Sequence, residues 1–177
     1  MPSPLATLQQ RMLDTIASLM DARDYLGAAE WQRQFERAII EHHAAAYFAG
    51  QGTNTLTAKG DAELGLLLQT QLDYLAGFAE AVDALTPAQA AARAALYAGP
   101  LRATYARGST VLWDLPFYPG EGTPCMVNCH CAWEIVVDDL EELNARAFWR
   151  LGASEHCDGC KGRARANPYV FRAGVLQ

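Results

Sequence analysis

The sequence predicts a mainly α chain that ends in a small β-hairpin, an α+β arrangement with a helical body over residues 1–108 and a Cys-rich ribbon with a basic tail over 109–177. Three observations predict it. Apolar residues recur every three or four positions through the first hundred residues. Two short runs near the C-terminus alternate apolar and polar side chains. All five cysteines fall between Cys125 and Cys160. With 177 residues, 51% apolar and 19% charged, the chain can bury a core and is not a disordered polymer.

The first helix follows from Leu5, Leu8, Met12, Ile16 and Leu19 on one face, with Ser3-Pro4 as its start. A second places Trp31, Phe35, Ile39, His42 and Ala46 together and stops at Gly50. After the loop-like GQGTNTLTAKGD, a third helix is expected from about Asp61 to Leu85, carrying Leu64, Leu68, Leu72, Leu75, Phe78 and Val82. Thr86-Pro87-Ala88-Gln89 then reads as a capping box with proline in the first turn. The helix it opens should reach Tyr97 and break at Gly99-Pro100. Trp31, Phe35, Leu68, Leu72, Leu75, Phe78 and Tyr97 are the expected buried core.

Beyond Gly108 the character changes. LPFYPGEGTPC holds three prolines and two glycines and is extended or turning. Cys131, Trp133, Ile135 and Val137 then alternate against Ala132, Glu134 and Val136, and Ala147, Trp149 and Leu151 alternate in a second run. Pairing 131–137 with 146–152 would bring Cys131 beside Gly152, let Trp133 meet Trp149, and gather every thiol at one end of the ribbon. An isolated hairpin is marginal in water, and a tetrathiolate metal would fasten it. The spacings Cys-x3-Cys-x-Cys and Cys-x-x-Cys predict one zinc per chain on Cys125, Cys129, Cys157 and Cys160. Cys131 points inward with Trp133 and is the spare or alternate ligand, while His130 and His156 are peripheral.

His42-His43 lacks HExxH spacing, and there is no Walker loop, GxSxG or dinucleotide fingerprint, so no enzyme is predicted. His42, on the Ile39 and Ala46 face, is expected to be a buried, satisfied histidine or an interface residue. No run of eighteen apolar residues predicts a membrane span, and the N-terminal twenty residues lack a secretion signal's pattern. A reducing compartment follows, where clustered thiols favour metal over disulfides. The net charge of −6 is uneven: residues 113–144 hold seven acidic and no basic side chains, and 145–177 hold six basic and two acidic. Within that tail Arg163, Arg165 and Arg172 are candidate phosphate contacts for DNA.

The stretch LPFYPGEGTPCMVNCHCAWEI resembles the cysteine-rich end of phage head morphogenesis proteins, the Mu protein F-like minor head family. Asn128-Cys129-His130-Cys131 matches that family's NCRC-like element, and Trp149, Leu151, Glu155-His156-Cys157, Cys160 and Pro168-Tyr169 match a second segment. The helical QTQLDYLAGFAEAVDALTPAQAAARAALYAG is similar as well, so the resemblance spans most of residues 30–170. The order of the two cysteine elements is reversed here relative to the commoner family pattern. The resemblance implies a structural subunit of a tailed-phage or prophage virion, assembled in the host cytoplasm. It would be present in multiple copies near the portal or major capsid protein and the packaged DNA. The alternative from another class is a zinc-ribbon nucleic-acid-binding module.

Overall fold

A computed structural model describes residues 3–113, 115–117, 122–124, 129–152 and 155–177. They are mainly helical, with a small antiparallel sheet at the C-terminal end. Helix α1 (Pro4–Leu26) starts on Ser3, whose side chain accepts from the Ala6 amide, and buries Leu5, Met12, Ile16 and Leu19. Gly27, at φ +75°, turns the chain into α2 (Ala28–Gln51), which buries Trp31, Phe35, Ile39, Ala46 and Tyr47.

Helix α3 (Ala58–Ala81) begins three residues before the expected Asp61, because Thr57 caps it by accepting from the Gly60 amide. It ends early as well, in a 3-10 turn at Val82–Ala84. Leu75 and Phe78 are fully buried, but Leu68 and Leu72, expected in the core, are only partly buried at its rim. The capping box on Thr86 and Gln89 forms and opens α4 (Pro87–Ala95). The chain breaks at Gly99-Pro100 and resumes as α5 (Leu101–Val111), a helix the sequence reading did not separate.

Trp31, Phe35, Phe78 and Tyr97 form the aromatic centre of the helical core, with edge-to-face ring pairs 5.2–6.3 Å apart. Helix α5 crosses α2 so closely that a Cβ on Gly50 would strike the Tyr105 carbonyl, and one on Gly108 the Tyr47 carbonyl. This crossing decides which histidine is buried. His42 is expected to be buried or at an interface, but the stripe of α2 that meets α5 runs through His43 and Tyr47, so His43 is buried and His42 is half-buried. His42 Nδ1 lies 2.8 Å from the Ala38 carbonyl.

His43 has a consequence for stability. Its Nδ1 lies 2.7 Å from Thr104 Oγ1, and the Thr104 hydroxyl donates to the Pro100 carbonyl at 3.4 Å, so Nδ1 carries the proton donated to Thr104. Nε2 is buried with no hydrogen-bond partner among the described residues. Burial lowers the imidazole pKa from 6.5 to about 4, with His42 adding to the shift. Between those values the unfolded chain binds the proton and the folded chain does not. Stability is therefore full above about pH 6.5 and falls as pH decreases toward 4, by up to about 3 kcal/mol from this group. Urea unfolding of wild type and His43→Gln at pH 7 and pH 5, in the same metal state, checks it. An equal pH 5 loss in both proteins would remove His43 as the cause.

The sheet is a meander in the order β1-β2-β3-β4, built from Ala132–Asp139, Asn144–Arg150, Tyr169–Arg172 and Val175–Leu176. The expected hairpin is β1 and β2. The observed register pairs Trp133 with Trp149, one residue away from the expected Cys131–Gly152 alignment. The physical reason is the pleat: facing residues share a side, so two tryptophans on one face must sit opposite each other or two apart, and a one-residue slip would separate them. The last two strands and a helix α6 (Asp158–Arg165) extend the ribbon beyond what the sequence predicted.

Candidate metal centre

One face of the sheet carries Trp133 and Ile135 from β1, Ala145, Ala147 and Trp149 from β2, and Phe171 from β3, all buried. The alanines are small enough to leave room beside the rings. Phe117, from the proline-rich approach, fills it, with its ring 5.1 Å from both Trp133 and Trp149 and 5.9 Å from Tyr169. The Trp133 indole donates to the Phe117 carbonyl at 2.8 Å and fixes that segment. At the far end of α2, the Trp113 indole donates to the Gln51 carbonyl at 3.1 Å, tying this cluster to the helices.

The opposite face carries charge. Arg146 makes a forked contact with Asp138 at 2.7–3.1 Å, which holds that carboxyl below its usual range. Arg150 pairs with Glu134 and lies over Phe148.

Cysteines stand where the first strand begins and where α6 begins. Cys131 enters β1 on the Trp133 face, and Cys129 precedes it by one pleat period. Cys157 is the N-cap of α6, its Sγ accepting from the Cys160 amide at 3.5 Å, and this cap directs Cys160 back under the sheet. Trp149 at the end of β2 is held by Asn167, whose amide accepts from the Trp149 N–H at 2.7 Å and donates to its carbonyl at 3.1 Å. The side chain thus continues the ladder where β3 stops and fixes the distance between β2 and α6. The Tyr169 hydroxyl donates to the Arg163 carbonyl at 3.1 Å and ties the helix to β3.

The result is a triad. The sulfurs of Cys129, Cys131 and Cys160 all lie within 4.8 Å of one another, and all three residues are buried, at 1%, 1% and 0% exposure. Cys129 and Cys160 are 3.8 Å apart, and both are thiols rather than a disulfide. For tetrahedral bonds of ~2.3 Å, the edge between two sulfurs is about 3.8 Å. Burial pushes the Cys131 thiol pKa up, while hydrogen bonds from Cys160 and the Gly152 amide pull it down. Three buried, mutually close sulfurs with no disulfide could hold a metal ion. The soft donor set suits a thiophilic metal and not a hard, oxygen-seeking cation.

Of the ligands expected from sequence, Cys129 and Cys160 meet in the triad, and Cys125 lies outside the described residues. Cys157 is half-buried and stands outside the triad, whereas Cys131, expected to be the spare or alternate thiol, stands inside it. The inward direction that marked Cys131 as a buried hydrophobe also points it at the other thiols. His130 is exposed, while His156 is half-buried beside Cys131. Of the candidate phosphate contacts, Arg165 and Arg172 are exposed. Arg163 instead lies over Phe117, its guanidinium carbon 3.7 Å from the ring centroid.

No protein-family model, no curated protein and no solved structure matches the chain. No helix among the described residues is long and apolar enough to cross a membrane.

Proposed function

We propose that this chain is a non-catalytic structural subunit whose ribbon is fastened by one zinc ion, serving as a minor head protein of a tailed-phage or prophage particle. The observation that carries the zinc reading is the buried triad of Cys129, Cys131 and Cys160, with sulfur spacings suited to tetrahedral thiolate coordination. Zinc bound there would join the start of β1 to α6 and add directly to folding free energy. The structural role is supported by how the buried polar groups are used. His43 is paired with Thr104 in a helix crossing, and the Trp133 and Trp113 indoles hold backbone carbonyls.

The particle context is supported by the resemblance of residues 115–135 and of the segment around Glu155–Cys160 to the Mu protein F-like family. Portal or major capsid protein is the expected neighbour, with several copies per particle and packaged DNA close by. Arg165 and Arg172 are exposed and available to DNA phosphates, without any reading of bases. The reading is tested by expressing the chain with its neighbouring particle proteins and purifying assembled heads. Stable retention in particles is expected, together with duplex DNA binding that is barely detectable at low salt and lost near physiological salt. Tight, salt-resistant binding to one DNA sequence would transfer the chain to the zinc-ribbon nucleic-acid-binding class.

A further inference from the structure

A tetrahedral site needs a fourth donor, and the triad supplies three. We propose that the fourth ligand is His156, through Nδ1, so that the centre is a Cys3His site of Cys129, Cys131, Cys160 and His156. This rests on the zinc reading given above.

The tautomer is the first argument. His156 Nε2 lies 3.0 Å from the Gly152 carbonyl oxygen, an acceptor with no proton to give, so Nε2 carries the hydrogen and donates it. In the neutral ring Nδ1 then holds a lone pair. That lone pair belongs to an atom 3.7 Å from Cys131 Sγ, though not within 4.8 Å of all three sulfurs, so the ring closes on the ion as it binds. With bonds of ~2.3 Å to sulfur and ~2.0–2.1 Å to nitrogen, the sulfur–nitrogen edge of a zinc tetrahedron is about 3.5 Å. Backbone anchorage of the distal ring nitrogen is the arrangement that holds metal-binding histidines in orientation and raises their basicity.

The second argument concerns the neighbour in sequence. Cys157 has an extended backbone, φ −67° and ψ 159°. His156 Nδ1 meets Cys131 Sγ, whereas Cys157 Sγ lies outside the triad and accepts the Cys160 amide. The four donors come from two short segments, 129–131 and 156–160, which β1, β2 and Asn167 hold together.

X-ray absorption at the zinc edge of the zinc-loaded full chain tests this, read beside zinc content. The expected first shell is three sulfurs and one nitrogen, with the outer-shell scattering of an imidazole. His156→Gln should weaken zinc binding by at least about 100-fold, beyond the loss expected for an outer-shell partner. His156→Cys should restore tight binding with four sulfurs. Cys157→Ser and Cys125→Ser should each keep one zinc with three sulfurs and one nitrogen. A wild-type shell of four sulfurs, or loss of one sulfur in either of those serine variants, would overturn the assignment of His156 while leaving the zinc reading intact. Absence of bound zinc in reduced wild type would instead overturn the zinc reading itself.

Discussion

Cys160→Ser should abolish tight metal binding and lower apparent stability at neutral pH by roughly 5–10 kcal/mol. That is less than the ~10–16 kcal/mol that zinc contributes to peptides that cannot fold without it. Two features set the size. Cys160 is fully buried and is the triad member that α6 supplies, the other two standing at the start of β1. The aromatic packing of Trp133, Trp149, Phe117 and Tyr169 remains, which is why the loss falls short of complete unfolding. Serine is shorter and hard where the site needs a soft thiolate, and it leaves a hydroxyl among apolar groups. Scanning calorimetry of wild type and variant, with zinc and with chelator, measures the effect. Chelator should bring wild type close to the variant and leave the variant almost unchanged. A variant that keeps one zinc and melts with wild type would exclude Cys160 as a ligand.

Gly108→Ala should destabilise the helical core by about 2–3 kcal/mol, and Gly50→Ala by a similar amount. Two effects oppose each other here. Alanine is the better helix former by about 1 kcal/mol, which alone would make both substitutions stabilising. The added methyl, however, falls on the backbone carbonyl of the facing helix, Tyr47 for Gly108 and Tyr105 for Gly50. A carbonyl cannot rotate aside as a long side chain can, so the helices must separate. Separation would loosen the neighbouring His43–Thr104 contact. Gly65→Ala and Gly77→Ala are controls of opposite sign, because both glycines lie on α3 with open space where the methyl would go. They should raise stability by about 0.5–1 kcal/mol. Denaturant midpoints for the four variants read this directly, and a stabilised Gly108→Ala would mean that α2 and α5 do not cross as described.

Much of this architecture is legible in the residues. Thr86, Pro87 and Gln89 announce a helix start because capping is a local interaction that needs no tertiary partner. The alternation of Trp133, Ile135 and Val137 announces a strand for the same reason. The clustered thiols announce a group of sulfurs that could hold a metal, since spacing in sequence constrains which sulfurs can meet. What escapes is set at longer range. The burial of His43 in place of His42 depends on where α5 crosses, which no pattern within α2 encodes. Helix α6 has Gly159 and Gly162 among eight residues and buries only Cys160, so it shows no apolar face. Its readable signals are the cap at Cys157 and the arginines in its last turn. Strand β3 is four residues long, too short for alternation to speak. Phe117 sits in a proline-rich stretch that reads as a loop, and its place among three aromatic rings follows only from the room left by Ala145 and Ala147.

The meander order of the sheet has a bearing on time as well as on stability. Every strand pairs with its immediate neighbour in sequence, so β1 and β2 can zip from their own turn before any distant segment arrives. The thiols of Cys129 and Cys160, thirty-one positions apart, meet only after that zipping and after α6 has formed. On that order of events the complete donor set would be a late product of folding rather than its nucleus. An ion captured at that stage lowers the native state without lowering the barrier that precedes it, so its contribution is spent on slowing escape from the folded state, not on hastening arrival. A chain built this way would fold at a pace set by its own sequence and, with an ion bound, would be slow to unfold.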